Sequence, residues 1–239
     1  MRKELCYVNL HAHRPSNHDK EWVLRNIMAK EASPGIFQGG FYSVGLHPYH
    51  ADSPDEEMLL ERVAGAVDHE NVLALGEIGL DKTIGINMKK QQRIFERQME
   101  IAEKKDLPVI LHVVKTHNEM IRFMKVHRPS VPMIVHGFRG GLQVASDLIR
   151  SGFYLSFGEH ILQGKSKTIE ALLKVPVIRM FLETDESTTD IREIYRVAAG
   201  LKGMDPYQLQ EQMINNSRNC LPGFRTCDEL VDEVARNTP

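Results

Sequence analysis

Short apolar runs alternate with longer polar stretches along most of the chain. The apolar runs are Leu5 to Leu10, Phe41 to Leu46, Val72 to Leu75, Leu107 to Leu111, Val131 to Val135, Phe153 to Phe157 and Val177 to Leu182. Most are near-continuous Val, Ile, Leu, Met and Phe, the pattern of strands buried on both faces of a parallel sheet. The stretches between them read as helices. Asp19 to Lys30 has Asn17 or Asp19 as a cap, Asp55 to Asp68 follows Ser53-Pro54, and Lys89 to Lys105 sets Phe95, Met99 and Ala102 on one face. Strand starts at 72, 107, 131, 153 and 177 are spaced as consecutive βα units. Repeated units of this kind build an open doubly wound sheet or a closed barrel. Seven strands are legible where a closed barrel has eight, and Arg14 to Gly40 has room for a helix and little else. The expectation is a distorted (β/α) barrel with an abridged second βα unit, spanning 1–224 as one domain. Residues 225–239 read as a polar helix or tail.

Composition adds boundaries rather than chemistry. The 239 residues are 42% hydrophobic and 26% charged, ordinary for a globular chain. No run approaches a membrane span, and the N-terminal MRKELCYVNLHAH lacks the apolar core and cleavage site of a signal peptide, so a cytoplasmic location is expected. Cys6, Cys220 and Cys227 are odd in number and show no CxxC spacing, which argues against a disulfide framework or a thiolate metal site, with Cys6 read as a small core residue. A net charge of −2 provides no global field for nucleic acid, so phosphates would need a local patch or bound cations. Neither a protein partner nor an oligomeric state is legible.

Position is more informative. The strands run into His11 and His13, His47, Glu77, His112, His136, and finally Glu183 and Asp185. In α/β barrels the reacting groups gather at the C-terminal rim of the strands. His11 and His13 alternate on one face of an extended strand, so both can reach one cation at about 2.0–2.1 Å. Taken singly, each histidine reads equally well as a hydrogen-bonded residue near a strand end. Glu77 lies between glycines that permit close backbone approach, and its two oxygens can bridge two cations. Asp185, at the end of an apolar strand, needs a partner for its charge, and a metal is a natural one. Lys115, Arg139, His47 and His50 are rim residues suited to an anionic substrate.

These residues fall in motifs. LHAH (10–13), VGLHPYH (44–50), ALGEIGLDK (74–82), LPVILH (107–112), VHGFRGG (135–141) and FLETDES (181–187) stand in order, closing with Asn216-Ser217-Arg218. In this the chain resembles the TatD-related metal-dependent hydrolases, amidohydrolase-like TIM barrels. The resemblance implies a TIM barrel and two divalent metal ions. His11, His13 and Asp185 would hold one ion and His112 and His136 the other, with Glu77 shared. It also implies phosphodiester hydrolysis of DNA as the commonest activity. The chain departs from the pattern at Asn9, where many relatives carry Asp, and at Glu186 and Ser187, where a small residue and proline are usual. Arg139 stands where Ser is frequent, and the stretch from His13 to His47 is short. The chain reads as a compact branch with an altered substrate pocket.

A cation pair can polarise a phosphoryl oxygen and acidify a water, with Asp185 as the catalytic residue that orients and deprotonates it. Lys115 and Arg139 would position the phosphate, Arg in bidentate fashion. The histidine-rich donor set suits Zn or Mn, whereas the resemblance favours Mg. The expected substrate is single-stranded DNA or a small phosphoester. One alternative is hydrolysis of a small amide, lactone or phosphoester, and a second is a non-catalytic metal-binding protein. An open cationic groove with stacking aromatics favours DNA, and the sequence offers few rim aromatics, Tyr49, Phe138 and Tyr42 among them, which weakens the nuclease case on physical grounds. A closed, partly apolar pocket favours a small molecule.

Overall fold

The computed structural model describes residues 5–164, 166–230 and 232. Its centre is a single sheet of eight strands in sequential order, every adjacent pair parallel. The strands are β1 (Tyr7–Ala12), β2 (Glu21–Met28), β3 (Phe41–Gly45), β4 (Val72–Asp81), β5 (Val109–Val114), β6 (Met133–Val135), β7 (Tyr154–Phe157) and β8 (Met180–Leu182). The helices are α1 (Glu56–Ala66), α2 (Met88–Lys105), α3 (His117–His127), α4 (Leu142–Arg150), α5 (Lys167–Lys174), α6 (Ile191–Lys202) and α7 (Pro206–Cys220). From β3 onward each strand is followed by a helix, the right-handed βα repeat of a TIM barrel. No helix among the described residues is long and apolar enough to cross a membrane.

Two local expectations are corrected. Asp19 to Lys30 is not a helix: β2 occupies Glu21–Met28 and is the eighth strand that the apolar runs did not reveal. Its Arg25 and Asn26 interrupt the apolar run, yet the strand is mostly buried because it is hydrogen-bonded on both sides. Residues 13–20 return the chain to the start of β1, where the Tyr7 amide donates to the Lys20 carbonyl (2.7 Å). This crossover contains no helix. From β2 to β3 the connection contains only a 3-10 turn, Pro34–Ile36. The outer helix layer is therefore missing from two units, one more than the abridgement expected from the sequence.

The start of this thin side is covered from elsewhere. Phe224, beyond α7, packs edge-on against Trp22 with ring centroids 4.8 Å apart, and Trp22 stacks on Phe41 at 5.3 Å. Residues 227–230 are helical, and Cys227 forms a disulfide with Cys6 just ahead of β1. Cys6 is buried as expected, but the expectation against a disulfide is overturned: the two cysteines are distant in sequence and meet because the segment beyond α7 returns to the start of β1. The polar stretch from 225 is thus attached to the barrel as far as it is described; 231 and 233–239 lie outside the described residues.

The seam between β1 and β8 closes at one point. Ala12 and Asp185 form an isolated parallel bridge, with Asp185 N–H donating to His11 O (2.9 Å) and His13 N–H to Asp185 O (3.2 Å). Further back along β1, the buried Tyr195 hydroxyl accepts from Val8 N–H (3.1 Å) and donates to Val8 O (3.0 Å). One phenol thus satisfies main-chain groups that a full ladder would have paired. Asn9 completes the closure. Its amide donates to Thr184 Oγ1 (2.8 Å) and Glu21 Oε1 (2.8 Å), and its Oδ1 accepts the Thr184 N–H (2.9 Å). All three residues are buried.

Candidate metal centre

The barrel brings six of the expected side chains together at the C-terminal end of the sheet. His11 is fully buried, and its Nε2 lies 3.8 Å from Glu77 Oε2 and 3.7 Å from Asp185 Oδ1. His13 Nε2 lies 3.5 Å from the same Asp185 oxygen. Asp185 adopts a left-handed backbone conformation (φ 55°) and is bonded to β1 on both sides, so the bridge that closes the barrel also sets this carboxylate beside the two histidines. His13 and Asp185 keep 24% and 29% of their side chains exposed, so the cluster is open to solvent on one side.

Glu77 stands at the centre. Its Oε1 lies 2.6 Å from His112 Nδ1, 2.6 Å from His136 Nε2 and 3.4 Å from His47 Nε2. The glycines around it are required. A Cβ on Gly79 would fall 2.0 Å from the His112 carbonyl oxygen, and one on Gly76 2.6 Å from the Ile110 Cβ, so β4 reaches β5 this closely only as glycine. The donors form three sets around shared members: His11, His13 and Asp185; His11, Glu77 and His136; and His47, Glu77 and His112.

Two carboxylates stand behind these groups: Asp81 was not singled out from the sequence, and Glu183 was noted at its strand end without a role. Asp81 Oδ2 lies 3.1 Å from His112 Nε2, and its other oxygen accepts from Thr83 N–H (2.6 Å) and Oγ (2.5 Å). Glu183 Oε1 accepts the Gly137 amide (2.5 Å) and lies 3.6 Å from His136 Nδ1. A carboxylate on the far nitrogen of a histidine fixes the ring and its tautomer. The available signal was spacing: Asp81 is an even number of residues beyond Glu77 on one strand, and Glu183 precedes Asp185 by two.

The electrostatics follow from burial and crowding. Burial, reinforced by His136, lowers the pKa of His11 to about 3 against the pull of Glu77 and Asp185, so its imidazole is neutral. Burial pushes Glu77 upward but is outweighed by His136 and by hydrogen bonds from His112, His136 and His47, leaving its pKa well below the usual range. Burial also opposes the charge on Asp185, yet the His13 hydrogen bond, with His11 and His136, brings its pKa down to about 2. His136 is raised well above an ordinary histidine because Glu77 and Glu183 overcome its burial.

These residues fit divalent cations. Both nitrogens of His11 are buried without a hydrogen-bond partner, an arrangement that costs about 1–3 kcal/mol per group unless something binds there. Two donors each about 2.1 Å from one ion at a tetrahedral angle stand about 3.4 Å apart. The His11, His13, Asp185 and Glu77 contacts of 3.5–3.8 Å are close to that spacing.

The rim residues separate. Arg139 is exposed and lines a cavity of about 230 Å³ beside the cluster, shared with His160, Glu159, Glu183, Asp185 and Glu186. Lys115 is exposed on the loop after β5 and is not among the residues lining that cavity. Of the three aromatics expected near the rim, Phe138 and Tyr42 are buried, which corrects the expectation for both. Tyr49 is 55% exposed, with its ring 4.4 Å from that of His47.

A parallel barrel with histidines and carboxylates converging at its C-terminal rim is the architecture of a metal-dependent hydrolase. The model of the TatD-related DNases matches residues 20–222, and the chain belongs to that family. It is 34% identical to the uncharacterised metal-dependent hydrolase YjjV of Escherichia coli over 154 residues, covering 62% of this chain and 59% of that protein. It is 28% identical over 199 residues to the 3'-5' ssDNA/RNA exonuclease TatD of Erwinia billingiae, covering 74% of this chain and 75% of that one. The chain spans 59%, 58% and 58% of the first three curated relatives it matches. The crystal structure of E. coli YjjV superposes with a TM-score of 0.78 at 22% identity, covering 90% of this chain and 97% of that one, which establishes the shared fold.

Proposed function

We propose that this protein is a divalent-cation-dependent phosphodiesterase acting on single-stranded DNA. His11, His13, Asp185 and Glu77 would hold one cation, and Glu77, His112 and His136 a second, with Mg, Mn or Zn as occupants. Cations bound there supply Lewis acidity toward a phosphoryl oxygen and toward the attacking water. The observation that carries this reading is His11, a buried neutral imidazole without a partner between two ionised carboxylates. Asp185, partly exposed and oriented by His13, is placed to accept the proton of the attacking water. Asp81 holds the His112 ring, Glu183 lies behind His136 as a nearby negative charge, and Arg139 offers a guanidinium to a phosphate entering past Asp185. Lys115 would act further out, on the substrate's flanking charge. The exposed Tyr49 ring supports an unpaired-base substrate, because a base can stack on it without readout of sequence.

One observation favours a small phosphoester instead. The cavity beside the cluster sets Glu159, Glu183, Asp185 and Glu186 against Arg139 and His160, and such a lining repels a polyanion. The partial exposure of His13 and Asp185 favours either substrate over a sealed structural clamp.

The test is to measure cation content, reconstitute with each of Mg²⁺, Mn²⁺ and Zn²⁺, and assay single-stranded DNA, bis(p-nitrophenyl) phosphate, an amide and a lactone. Phosphodiester cleavage that chelation abolishes is expected, as is a fall in turnover of about 10²–10⁴-fold in Asp185→Asn with its unfolding midpoint retained. Cleavage of only the amide or lactone, or near-normal turnover of Asp185→Asn, overturns the reading.

A further inference from the structure

Three histidines crowd the Oε1 of Glu77, and distance alone does not distinguish their roles. What an imidazole presents to a site is decided by the partner of its other nitrogen. His112 Nε2 faces Asp81 Oδ2 at 3.1 Å. Its Nδ1 faces Glu77 Oε1 at 2.6 Å, so carboxylates flank both ring nitrogens, and with the hydrogen on Nε2 toward Asp81 the ring can offer the Nδ1 lone pair to a cation. His136 also stands between carboxylates, with Nε2 2.6 Å from Glu77 Oε1 and Nδ1 3.6 Å from Glu183 Oε1, beyond hydrogen-bond distance. Neither ring is locked by a backbone amide, so each can turn a lone pair to a cation.

His47 is arranged the other way round. It begins the 3-10 turn Pro48–His50, and its Nδ1 accepts the backbone N–H of Tyr49 at 3.1 Å. A backbone amide can only donate, so Nδ1 holds the lone pair and the ring hydrogen sits on Nε2. That nitrogen is the one directed into the site, 3.4 Å from Glu77 Oε1. The ring is buried and wedged between the His112 ring (centroids 4.4 Å apart) and the Tyr49 ring, so a flip exchanging the two nitrogens would have to displace both. An N–H has no lone pair for a cation.

We propose that His47 is a hydrogen-bond donor to a nonbridging oxygen of the scissile phosphodiester and not a cation ligand, with the Tyr49 amide locking its tautomer. The proposal rests on the phosphodiesterase reading above. It divides the His47, Glu77 and His112 set, leaving His112 and Glu77 as ligands and His47 as the group that meets the substrate. No covalent step is added: the donor stabilises charge that grows on the phosphoryl oxygen, as an oxyanion-hole donor does.

The test combines three measurements on the full chain. Nitrogen-15 NMR of the protein, with zinc added and in chelator, is expected to show His47 protonated at Nε2 and not at Nδ1; the reverse overturns the proposal. Titration calorimetry with Mn²⁺ is expected to give His47→Phe the stoichiometry of the unaltered protein, whereas His112→Phe loses about one equivalent; the loss of an equivalent in His47→Phe overturns it. With bis(p-nitrophenyl) phosphate, His47→Phe should lose about 10²–10³-fold in kcat, and His47→Gln, which keeps an N–H donor, should recover part of that loss. Near-normal kcat in a folded His47→Phe overturns the substrate contact. A wild-type protein that binds no cation or cleaves no phosphodiester defeats the phosphodiesterase reading instead, and the NMR tautomer is readable in either case.

Discussion

The seam residue Asn9 permits a quantitative test of how the barrel is closed. Asn9→Asp exchanges two side chains of nearly the same shape and would ordinarily pass as conservative. In this fold the Asn9 amide donates to Glu21 Oε1 at 2.8 Å, and Glu21 also takes the Asn17 amide at 2.8 Å. Aspartate would set a second carboxylate against Glu21 in buried surroundings and would lose the donations to Glu21 and to Thr184 Oγ1. Two unit charges about 4 Å apart repel by about 4 kcal/mol at an effective dielectric constant of 20, and each lost hydrogen bond costs about 1 kcal/mol. Protonation of one carboxyl limits the total. The expected loss is about 3–5 kcal/mol at pH 7, read as a lower urea midpoint in the presence of chelator, so that cation binding does not mask it. The sign with pH is fixed: the crowded carboxyl has a folded-state pKa above its unfolded value, so the folded state binds more protons and the deficit shrinks as pH falls toward 5. Glu21→Gln in the Asn9→Asp background should recover at least about 2 kcal/mol, because the Gln amide donates to the new carboxylate. A variant Asn9→Asp within about 0.5 kcal/mol of the parent at pH 7, or no rescue by Glu21→Gln, would refute this account of the seam.

Other expectations follow from the same geometry. Because Glu77 and Glu183 keep His136 protonated at neutral pH in the cation-free protein, filling that cluster must expel the proton. Calorimetry in buffers of different ionisation enthalpy should show release of about one proton, with affinity rising as pH climbs toward the pKa of His136; a buffer-independent enthalpy contradicts this. The Cys6–Cys227 disulfide closes a loop with a sequence separation of 221, worth about 5 kcal/mol on chain-entropy grounds, so Cys6→Ser should lower the urea midpoint markedly and leave kcat unchanged. Thiol titration of the unreduced, denatured protein should find only Cys220, and three reactive thiols would dismiss the pairing. Tyr49→Ala should raise KM for single-stranded DNA about 5- to 100-fold while sparing bis(p-nitrophenyl) phosphate, and Tyr49→Trp should not; equal losses on both substrates would remove the stacking role.

The site was easier to read from the sequence than the fold around it, for a physical reason. Strands β4 to β8 are apolar on both faces, one toward the helices and one toward the barrel interior, so they stand out against polar helical stretches; Glu77 and His112 lie within β4 and β5, and His136 and Asp185 follow β6 and β8. His112, His136 and Asp185 could be placed from that pattern alone. Strand β2 lacks the pattern because it lacks the helices. With residues 13–20 and a 3-10 turn as its flanking connections, it carries Glu21, Arg25 and Asn26 among Trp22, Leu24 and Ile27, and neither a strand nor a helix period dominates. Its identity comes from pairing with β1 and β3, which is information that a single segment does not contain. The disulfide was hidden for a related reason: cysteine spacing speaks only of short loops, whereas this pair depends on the segment beyond α7 returning to the start of β1.

The thin side also explains why the centre tolerates it. Among the described residues no cation-type donor comes from β2; they come from β1 and the residue after it, the turn after β3, β4 and β5, and the segments after β6 and β8. On the β1–β8 side their relative position is fixed by one main-chain bridge, Ala12 to Asp185, and one side-chain bridge, Asn9 to Thr184. Helices could therefore be lost around β2 without moving a donor, provided that the amide of Asn9 supplied both the donors and the acceptor the seam requires. With Glu21 on the other side, asparagine satisfies that requirement where aspartate would add a second buried charge. Asn9 and the helix-free flanks of β2 thus belong to one local arrangement, joined through Glu21 and set apart from the donors at the mouth of the barrel.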